Sequence, residues 1–187
     1  MIEQGDGELV EQTLQGRREA FGRLVERYQK PVFNVALRML HDEADAEDAA
    51  QTTFIRAYQK LGTFDPAQKF FSWLYRIVVN ESLNMLKRRG RFERFEGGTG
   101  DKVADGGDQE REAGVEQEAR EQRIQEGLME LKAEQRAVIV LKHFEGLSYA
   151  EIGEVLEIPE KKVKSRLFAA RTVLRNVLIR KGIGPHG

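Results

Sequence analysis

The sequence predicts an all-α protein built from two small helical domains that a flexible acidic linker joins. Apolar residues recur at helical spacing along most of the chain, and no segment shows the strict alternation typical of a strand. Residues 97–116 are rich in glycine and acid and hold almost nothing apolar to bury, so we expect them to be flexible. Residues 96–121 contain nine acidic and three basic residues, between a first part at +1 and a last part at +4. We therefore predict domains at residues 1–95 and 122–187, with residues 96–121 as the linker.

Three main helices account for the first domain in this prediction. The first covers about Arg18–Leu40 and bends at Pro31, because proline removes a helical hydrogen bond and crowds the preceding turn. The second starts after Asp45, whose carboxylate can accept hydrogen bonds from the free amides of the first turn. The third spans about Phe71–Arg89, and a short helix near Glu8–Gln15 can precede all three.

The third helix has two different faces. One is a core stripe at helical spacing, formed by Phe71, Leu74, Tyr75, Val78, Ser82, Met85 and Leu86. The opposite stripe combines one aromatic ring with amides and cations, in Trp73, Arg76, Asn80, Asn84, Lys87 and Arg91. Bases of a single strand stack on aromatic planes while cations follow the backbone, so this stripe indicates a single-strand site. Lys69 and Phe70 before it and Arg88 in the basic cluster after it extend the site. For Trp73 an equally open alternative is packing on a neighbouring helix, with the amides merely solvated.

The second domain is predicted to contain four helices. The first two cover about Ala119–Glu130 and Ala133–Phe144. Ser148 and Glu151 form an S-x-x-E capping box, so the third helix begins directly after Ser148. Pro159 stops it, because proline lacks the amide and restricts the residue before it. A fourth helix restarts directly after this proline.

The fourth helix is strongly basic. Its apolar positions at helical spacing are Val163, Leu167, Ala170, Leu174, Val177 and Leu178. Its cations on the other faces are Lys161, Lys162, Lys164, Arg166, Arg171, Arg175, Arg180 and Lys181. Only Glu160 opposes them, which favours a helix-turn-helix whose second helix enters the major groove of DNA. The alternative is a solvated charged helix of a bundle, which more often mixes its signs.

Composition gives no support to a catalytic, cofactor or metal site. The chain has no cysteine, and its three histidines are scattered without ligand-like spacing. We find no glycine-rich phosphate loop after a strand and no carboxylate cluster within an apolar pocket. We therefore expect a protein that is not an enzyme and that needs no cofactor. No apolar run approaches the length of a membrane span and the N-terminus lacks a signal sequence, so we expect a cytoplasmic location without membrane insertion.

Three strings, in this order, resemble the extracytoplasmic-function group of bacterial sigma factors. Residues 45–54 are similar to the family's polymerase-binding helix, residues 70–80 to its promoter −10 reading segment, and residues 163–167 to the core of its −35 reading helix. The resemblance covers about 20–91 and 128–175. It implies two helical domains, called region 2 and region 4, that recruit core RNA polymerase to promoter DNA and help to open it. It also implies an anti-sigma partner, which most relatives have.

The resemblance assigns roles to residues of this chain. The residues implied to contact polymerase are Asp48, Gln51 and Ile55. Those implied to hold the single-stranded −10 element are Lys69, Phe70, Trp73, Arg76, Asn80, Asn84, Lys87 and Arg88. Those implied to face the −35 duplex are Lys161, Lys162, Lys164, Ser165, Arg166, Phe168 and Arg171. For polymerase binding, the alternative that the acids only favour a helix N-terminus leaves Gln51 and Ile55 unexplained.

Three points stay open at this stage. A stand-alone helix-turn-helix regulator of duplex DNA is the rival function, but it leaves the face from Trp73 to Lys87 without a purpose. Glu157 occupies the turn where relatives often have glycine, so either it adopts a left-handed conformation or the turn is built differently. Ala169 stands where many relatives carry a cation, which leaves base preference at −35 open.

Overall fold

Helices form all the regular structure of residues 5–96 and 112–183, the part of the chain that this computed structural model describes. The first half comprises α1 (Asp6–Leu14), α2 (Arg18–Leu40), α3 (Glu43–Lys60), a 3₁₀ turn (Leu61–Thr63) and α4 (Phe70–Glu96). The second half comprises α5 (Glu112–Met129), α6 (Ala133–Ile139), a π-helical turn (Val140–Phe144), α7 (Tyr149–Leu156) and α8 (Glu160–Arg180). The predicted all-α class with two helical domains is confirmed.

The core of the first half lies where α2 packs against α3 and α4, with α1 added on α2. Each helix contributes one apolar stripe, and residues such as Leu24, Met39 and Leu74 are fully buried. Helix α2 continues through Pro31 as a single helix. The predicted core stripe of α4 is confirmed, because its central members are buried and its ends are partly buried.

Helix α3 begins at Glu43, three residues before the predicted position, so Asp45 is not its cap. The cap is Asp42, whose Oδ1 accepts a hydrogen bond from the backbone N–H of Asp45 at 2.9 Å. Chain geometry explains the shift, since α2 ends at His41 in a left-handed conformation and Asp42 is the first extended residue after it. Asp45 instead forms an ion pair with Arg89 of α4.

The linker prediction is partly wrong. Helix α5 starts at Glu112, so residues 112–121 are helical and only the remaining residues up to 111 separate it from α4. Glutamate, glutamine, arginine and alanine dominate this stretch and all have high helix propensity, which outweighs its single Gly114. The predicted flexible segment at residues 97–111 lies outside the described residues.

The second half is built on the end of α2. The carbonyls of a last helical turn lack partners within the helix. Gln125 of α5 donates to the carbonyls of Leu37 and Arg38 at 3.3 and 3.1 Å, and Arg136 of α6 donates to the carbonyl of Met39. Helix α7 packs along α4 in the same assembly. The two halves are therefore in direct contact.

Arg136 is the buried polar centre of this junction. Its guanidinium also donates to the carbonyls of Leu128, Met129 and Leu131 at 2.9, 3.0 and 3.2 Å. Burial lowers the pKa of Arg136 to about 10. These four carbonyl acceptors offset the desolvation of a charge that is 4% exposed. Sequence reasoning missed this residue, whose only signal is one cation at the start of the apolar run 137–141.

No helix within residues 5–96 and 112–183 is both long and apolar enough to cross a membrane.

Candidate nucleic-acid and polymerase interfaces

Helix α3 presents the three residues predicted to contact polymerase on its outer face. Asp48 and Gln51 are exposed and Ile55 is 58% exposed, while the opposite face buries small residues against α2 and α4. An exposed isoleucine beside an acid and an amide offers the apolar and polar groups that a protein partner could contact. Asp48, Gln51 and Ile55 therefore form one exposed stripe on α3. The role of this stripe in polymerase binding stays a prediction.

An apolar groove adjoins this stripe between α2 and α3. The groove has a volume of about 620 Å³. Its lining residues are Val25, Gln29, Lys30, Phe33, Glu47, Ala50, Gln51 and Phe54. Sequence reasoning missed the contribution of α2, because Phe33 lies beside the core stripe of that helix rather than on it.

Helix α4 presents the predicted amide and cation stripe to solvent. Asn80, Asn84, Lys87 and Arg88 are exposed, directly opposite the buried Leu74, Val78 and Ser82. Amides and cations on one open helix face can meet both base edges and phosphates of a strand laid along the helix. The side chain of Arg91 lies outside the described residues.

Trp73 combines the two possibilities that the sequence left open. It is half-buried, and its ring lies 5.4 Å from the ring of Phe64 and 5.7 Å from that of Phe70, measured between centroids. These tilted contacts fix one side of the indole and leave part of it exposed. Trp73 therefore forms both core and surface.

Phe70 was predicted to contact DNA from a loop, and this prediction is wrong. Phe70 is the first residue of α4, is 3% exposed and packs between Tyr28 and Phe64 at centroid distances of 5.6 Å each. Of the two adjacent phenylalanines, the sequence pattern placed only Phe71 in the core. The buried ring of Phe70 supports Trp73 from behind instead.

Helices α7 and α8 form the predicted helix-turn-helix, and the capping box is confirmed. Ser148 Oγ accepts from the N–H of Glu151 at 3.2 Å, and Glu151 Oε2 accepts from the N–H of Ser148 at 2.8 Å. Glu157 ends α7 with φ 54° and ψ 43°, so the left-handed alternative for this turn is the correct one. Pro159 then sits at the N-cap position of α8.

Helix α8 exposes the predicted duplex-reading face. Val163, Leu167 and Ala170 are buried against the rest of the second half, and Phe168 is 76% exposed on the far side. The remaining predicted residues are exposed except for the half-buried Arg166, namely Lys161, Lys162, Lys164, Ser165 and Arg171. Glu160 pairs with Lys164 at 2.6 Å, so it offsets one of these cations locally. The face is basic and open enough for a DNA groove.

The cations at the end of α8 have a structural partner. Arg180 binds Glu130 of α5 at 2.7 Å, and Lys181 binds Glu126 of α5 at 2.9 Å. Arg180 and Lys181 are therefore engaged by α5 in this structure. Sequence reasoning missed these pairs because it assigned all eight cations to one helix without reference to α5.

Arg171 is held by a histidine. Its Nε donates to Nε2 of His143 at 3.1 Å, which requires the neutral imidazole as acceptor. Burial, and then the positive charges of Arg171 and Lys142, keep the pKa of His143 below its ordinary value. The neutral ring therefore orients Arg171 at neutral pH.

The second half also reaches the first residues of the predicted single-strand site. Lys69 Nζ lies 2.6 Å from Glu151 Oε1, and Arg76 donates to the carbonyl of Glu154 at 2.9 Å and to Glu157 Oε1 at 3.4 Å. The hydrogen bond from Lys69 is the main cause that lowers the pKa of Glu151 to about 2. The same bond raises the pKa of Lys69.

A further hydrogen bond lies at the same contact. The hydroxyl of Tyr75 donates to Glu145 Oε2 at 2.7 Å.

Among the described residues, no cluster of three histidine, cysteine or acidic side chains is arranged to hold a metal ion.

Comparison with known families accounts for both halves. The family described as Sigma-70 region 2 matches residues 24–92, and the family described as Sigma-70, region 4 matches residues 121–174. The first match includes the α3 and α4 surfaces, which the duplex-only regulator left without a purpose. The second match includes the helix-turn-helix.

Curated proteins similar to the chain are sigma factors over nearly their whole length. The RNA polymerase sigma-H factor of Pseudomonas aeruginosa is 34% identical, over 95% of this chain and 96% of that protein. The ECF RNA polymerase sigma factor SigW of Bacillus subtilis is 36% identical, over 90% of this chain and 94% of that protein. The chain belongs to the extracytoplasmic-function group of the sigma-70 family. It is an alternative sigma factor that directs promoter-specific transcription initiation.

Solved structures give the same fold. CnrH, in complex with the cytosolic domain of CnrY, aligns with a TM-score of 0.70 at 30% identity, over 94% of this chain and 97% of that chain. The sigma factor RpoE from Bartonella quintana, in complex with the anti-sigma factor NepR, aligns with a TM-score of 0.70 at 25% identity, over 84% and 96% of the two chains.

Proposed function

We propose that the three exposed surfaces divide the work of a sigma factor between polymerase, duplex and single strand. The observation that carries this proposal is α4, where a core-packed stripe with a buried centre stands opposite exposed Asn80, Asn84 and Lys87. Any surface helix has a polar face, and this one is distinguished by amides and cations aligned in one stripe. Its amides can read the edge of an unstacked base and its cation can hold the phosphate beside it.

Core RNA polymerase is the proposed partner of α3. Asp48, Gln51 and Ile55 offer an acid, an amide and an apolar side chain on one exposed face, and the groove beside them is mostly apolar. A central apolar contact with a polar rim is typical of specific protein interfaces. Polymerase binding then brings the DNA-facing helices to the promoter.

The −35 element is the proposed ligand of α8. In this proposal Lys161, Lys162 and Arg171 contact phosphates, and Lys164 and Arg166 contact base edges. Exposure supports the assignment for all of them except the half-buried Arg166. The ring of Phe168 projects from the same face and is suited to the apolar surface of a thymine methyl group. Duplex binding of this kind fixes the register without opening the DNA.

Promoter opening is proposed to follow from strand capture by α4. Extruding a base costs a few kcal/mol. Trp73 stacking and Asn80 hydrogen bonding exist only with the base flipped out, so they shift the equilibrium toward the melted state. No bond is made or broken in the protein, and the chain acts without a cofactor and is not an enzyme.

The proposal includes an anti-sigma factor as a further partner and the cytoplasm as the place of action. Support for the partner comes from RpoE, which was solved in complex with the anti-sigma factor NepR. Support for the location comes from the class of protein, since a sigma factor acts where polymerase and promoter DNA are present.

Reconstitution with core polymerase tests the proposed function. Purified chain and core enzyme are mixed with a fragmented genomic library, and run-off transcripts are sequenced. We expect transcripts that start at a shared promoter pattern and that disappear without the chain. Gln51→Arg is the matched loss-of-binding variant. Transcripts identical to those of core enzyme alone would overturn the proposal.

A further inference from the structure

Glu160 is the only acidic residue of α8, the helix to which duplex reading is assigned. It is exposed, and its Oε1 lies 2.6 Å from Nζ of Lys164, four positions further along the helix. Residues three and four positions apart share a helix face, so Glu160 lies in one stripe with Lys164, Phe168 and Arg171. A carboxylate therefore stands among the side chains that the proposed function directs at DNA.

A carboxylate on a DNA-facing surface is unfavourable unless it meets a hydrogen-bond donor. The phosphates on both sides of a groove are negative and repel it. An ionised carboxylate only accepts hydrogen bonds. The donors on base edges in the major groove are the N4 amino group of cytosine and the N6 amino group of adenine. These two groups are thus the base-edge partners open to Glu160.

Cytosine suits a carboxylate better than adenine does. Adenine presents the acceptor N7 beside its N6 amino group, and this acceptor repels a carboxylate that approaches the amino group. Cytosine presents its N4 amino group with no acceptor beside it on the same edge. Glutamine is the opposite case, because its amide both donates and accepts and so fits N6 and N7 of adenine together.

Lys164 supplies the complementary half of the contact. Its ammonium group has only donors, which suits the acceptors O6 and N7 of guanine. In a C·G base pair the cytosine amino group lies next to guanine O6, so a donor and an acceptor stand side by side in the groove. The pair of Glu160 and Lys164 likewise places an acceptor beside a donor.

The position of Lys164 has a second support. Its Nζ lies 5.5 Å from the ring centroid of Tyr149, the first residue of α7, which is within the range of a cation–π contact. The side chains of Lys164 and Glu160 are 56% and 48% exposed, so their pair is open to an approaching base edge. The ring and the carboxylate thus hold the ammonium group without covering it.

We propose that Glu160 is a specificity-determining residue, which selects a C·G base pair in the duplex by accepting a hydrogen bond from cytosine N4 while Lys164 donates to the guanine. This specificity rests on the proposed function of α8 as the duplex-reading helix. The competing role is purely structural: an acid in the first turn favours the helix dipole and holds Lys164, without contact to a base. The two roles predict different base preferences for variants of Glu160.

Sequence selection by holoenzyme distinguishes these roles. Glu160→Gln keeps the length of the side chain and adds a donor, whereas Glu160→Ala removes the acceptor. Glu134→Gln is the matched control, because it makes the same charge change at an exposed position of α6. Each variant is assembled with core RNA polymerase and offered a library of randomised duplexes, and the bound DNA is sequenced.

We expect the wild type and the Glu134→Gln control to prefer one C·G pair by about fivefold to twentyfold over other pairs at that position. Glu160→Gln should prefer adenine in place of that cytosine, and Glu160→Ala should accept all four bases there. Loss of the preference in Glu160→Ala without a gain of adenine in Glu160→Gln would mean that Glu160 only holds Lys164, and the proposal would be wrong.

Two further outcomes separate this proposal from the proposed function. If both Glu160 variants keep every wild-type preference, the role of Glu160 is refuted while α8 remains the duplex-reading helix. If wild-type holoenzyme selects no sequence in the duplex region, the assignment of α8 fails as well.

A modified base tests the single hydrogen bond. N4-methylcytosine keeps its pairing with guanine, but a methyl group replaces the hydrogen that faces the groove. Placed at the selected cytosine, it should weaken binding by wild-type holoenzyme by about fivefold or more and leave binding by Glu160→Ala unchanged. An equal effect on both proteins would show that the carboxylate does not meet N4.

Discussion

Gly153 and Ile158 lie so close across the turn of the helix-turn-helix that no side chain fits between them. A Cβ built on Gly153 would stand 2.9 Å from the carbonyl oxygen of Ile158, and the N–H of Ile158 donates to the Gly153 carbonyl at 3.0 Å. The obstructing atom is backbone, so it cannot move aside as a side-chain end can. This contact sets the angle between α7 and α8.

Gly153→Ala should therefore lower the free energy of unfolding. Overpacking costs about 1–3 kcal/mol and alanine regains up to about 1 kcal/mol of helix propensity, so we expect a net loss of about 1 kcal/mol. Gly22→Ala is the matched control, because nothing lies within 4 Å of a Cβ there in α2. Urea unfolding of both variants should show opposite signs. Equal stabilisation of both would contradict the turn contact.

Gln51→Arg should weaken association with core polymerase without changing the fold. Gln51 is exposed on α3 and has a groove on one side, so a longer cation alters the docking surface but not the core. Association is measured by co-purification and by biolayer interferometry, and the fold by circular dichroism. Gln122→Arg, at an exposed position of α5, is the control for the added charge. If Gln51→Arg binds core RNA polymerase as tightly as the wild type, the assignment of α3 as the polymerase-binding helix is wrong.

Lys162→Ala should reduce the salt dependence of −35 duplex binding. A lost phosphate contact lowers the log-log salt slope by about 0.9 and leaves sequence preference unchanged. Lys132→Ala, an exposed cation outside α8, should leave the slope as it is. Titrations on one duplex at several salt concentrations give the slope directly. A slope equal to that of the wild type would mean that Lys162 does not meet the backbone.

Arg166→Ala should instead change recognition at one base pair. A base-edge contact is worth about 1–3 kcal/mol of discrimination, so substituted duplexes at that position should become equivalent to the parent duplex. Competition binding across single-base variants of the site measures this effect. A uniform loss across all variants would place Arg166 on the backbone.

Asn80→Ala should weaken strand capture rather than polymerase binding. We expect a loss of about 1–3 kcal/mol in open-complex stability, because the exposed amide can read a flipped base. The measurement uses holoenzyme on a promoter whose −10 region is opened by mismatches. Wild-type binding of that exposed strand by the variant would refute the site.

A strand-binding defect of Trp73→Ala is harder to interpret, because the ring also packs on Phe64 and Phe70 and its loss can destabilise the fold. Its stability is therefore measured first by thermal unfolding. Trp73→Phe retains part of the packing with a smaller stacking surface, and it should show an intermediate strand defect.

Arg171→Ala should raise the pKa of His143. One of the two positive charges that depress this pKa is then absent, but burial remains, so the value should still lie below the ordinary 6.5. A depressed folded-state pKa means that the unfolded chain takes up the proton first. The stability that the folded protein gains from a neutral His143 is therefore lost as the pH falls from 6.5 toward the pKa of His143 in the folded state. NMR titration of His143 checks the shift, and Arg175→Ala should move it less.

Much of the helical fold was predictable because periodicity and caps are local signals. Arg18–Leu40 was placed to the residue, and the capping box at Ser148 located α7. Errors arose where two neighbouring residues offered the same signal. Asp42 and Asp45 can both cap a helix, and Phe70 and Phe71 can both begin one. The backbone path after His41 makes Asp42 the cap instead of Asp45. Packing against Phe64 buries Phe70 at the start of α4.

The candidate site was predictable in its faces but not in its contacts. Periodicity showed which side of α4 and α8 turns away from the core, and those sides are exposed for most predicted residues. It gave no information on partners from distant segments. The pairing of Lys69 with Glu151 spans 82 positions, and the pairing of Lys181 with Glu126 spans 55. Such contacts depend on how whole helices pack.

The guanidinium of Arg136 contributes only one hydrogen bond to the contact between the two halves, so it adds little to the free energy needed to separate them. Of its four carbonyl partners, only Met39 belongs to the first half, whereas Leu128, Met129 and Leu131 move with Arg136 itself. Parting the halves therefore breaks one of its bonds and leaves the others as an internal brace. Water can replace Arg136 at the freed carbonyl of α2, since that turn becomes solvent-exposed. If the two halves part, these three bonds keep α5 and α6 together, so the second half should separate as a preassembled body.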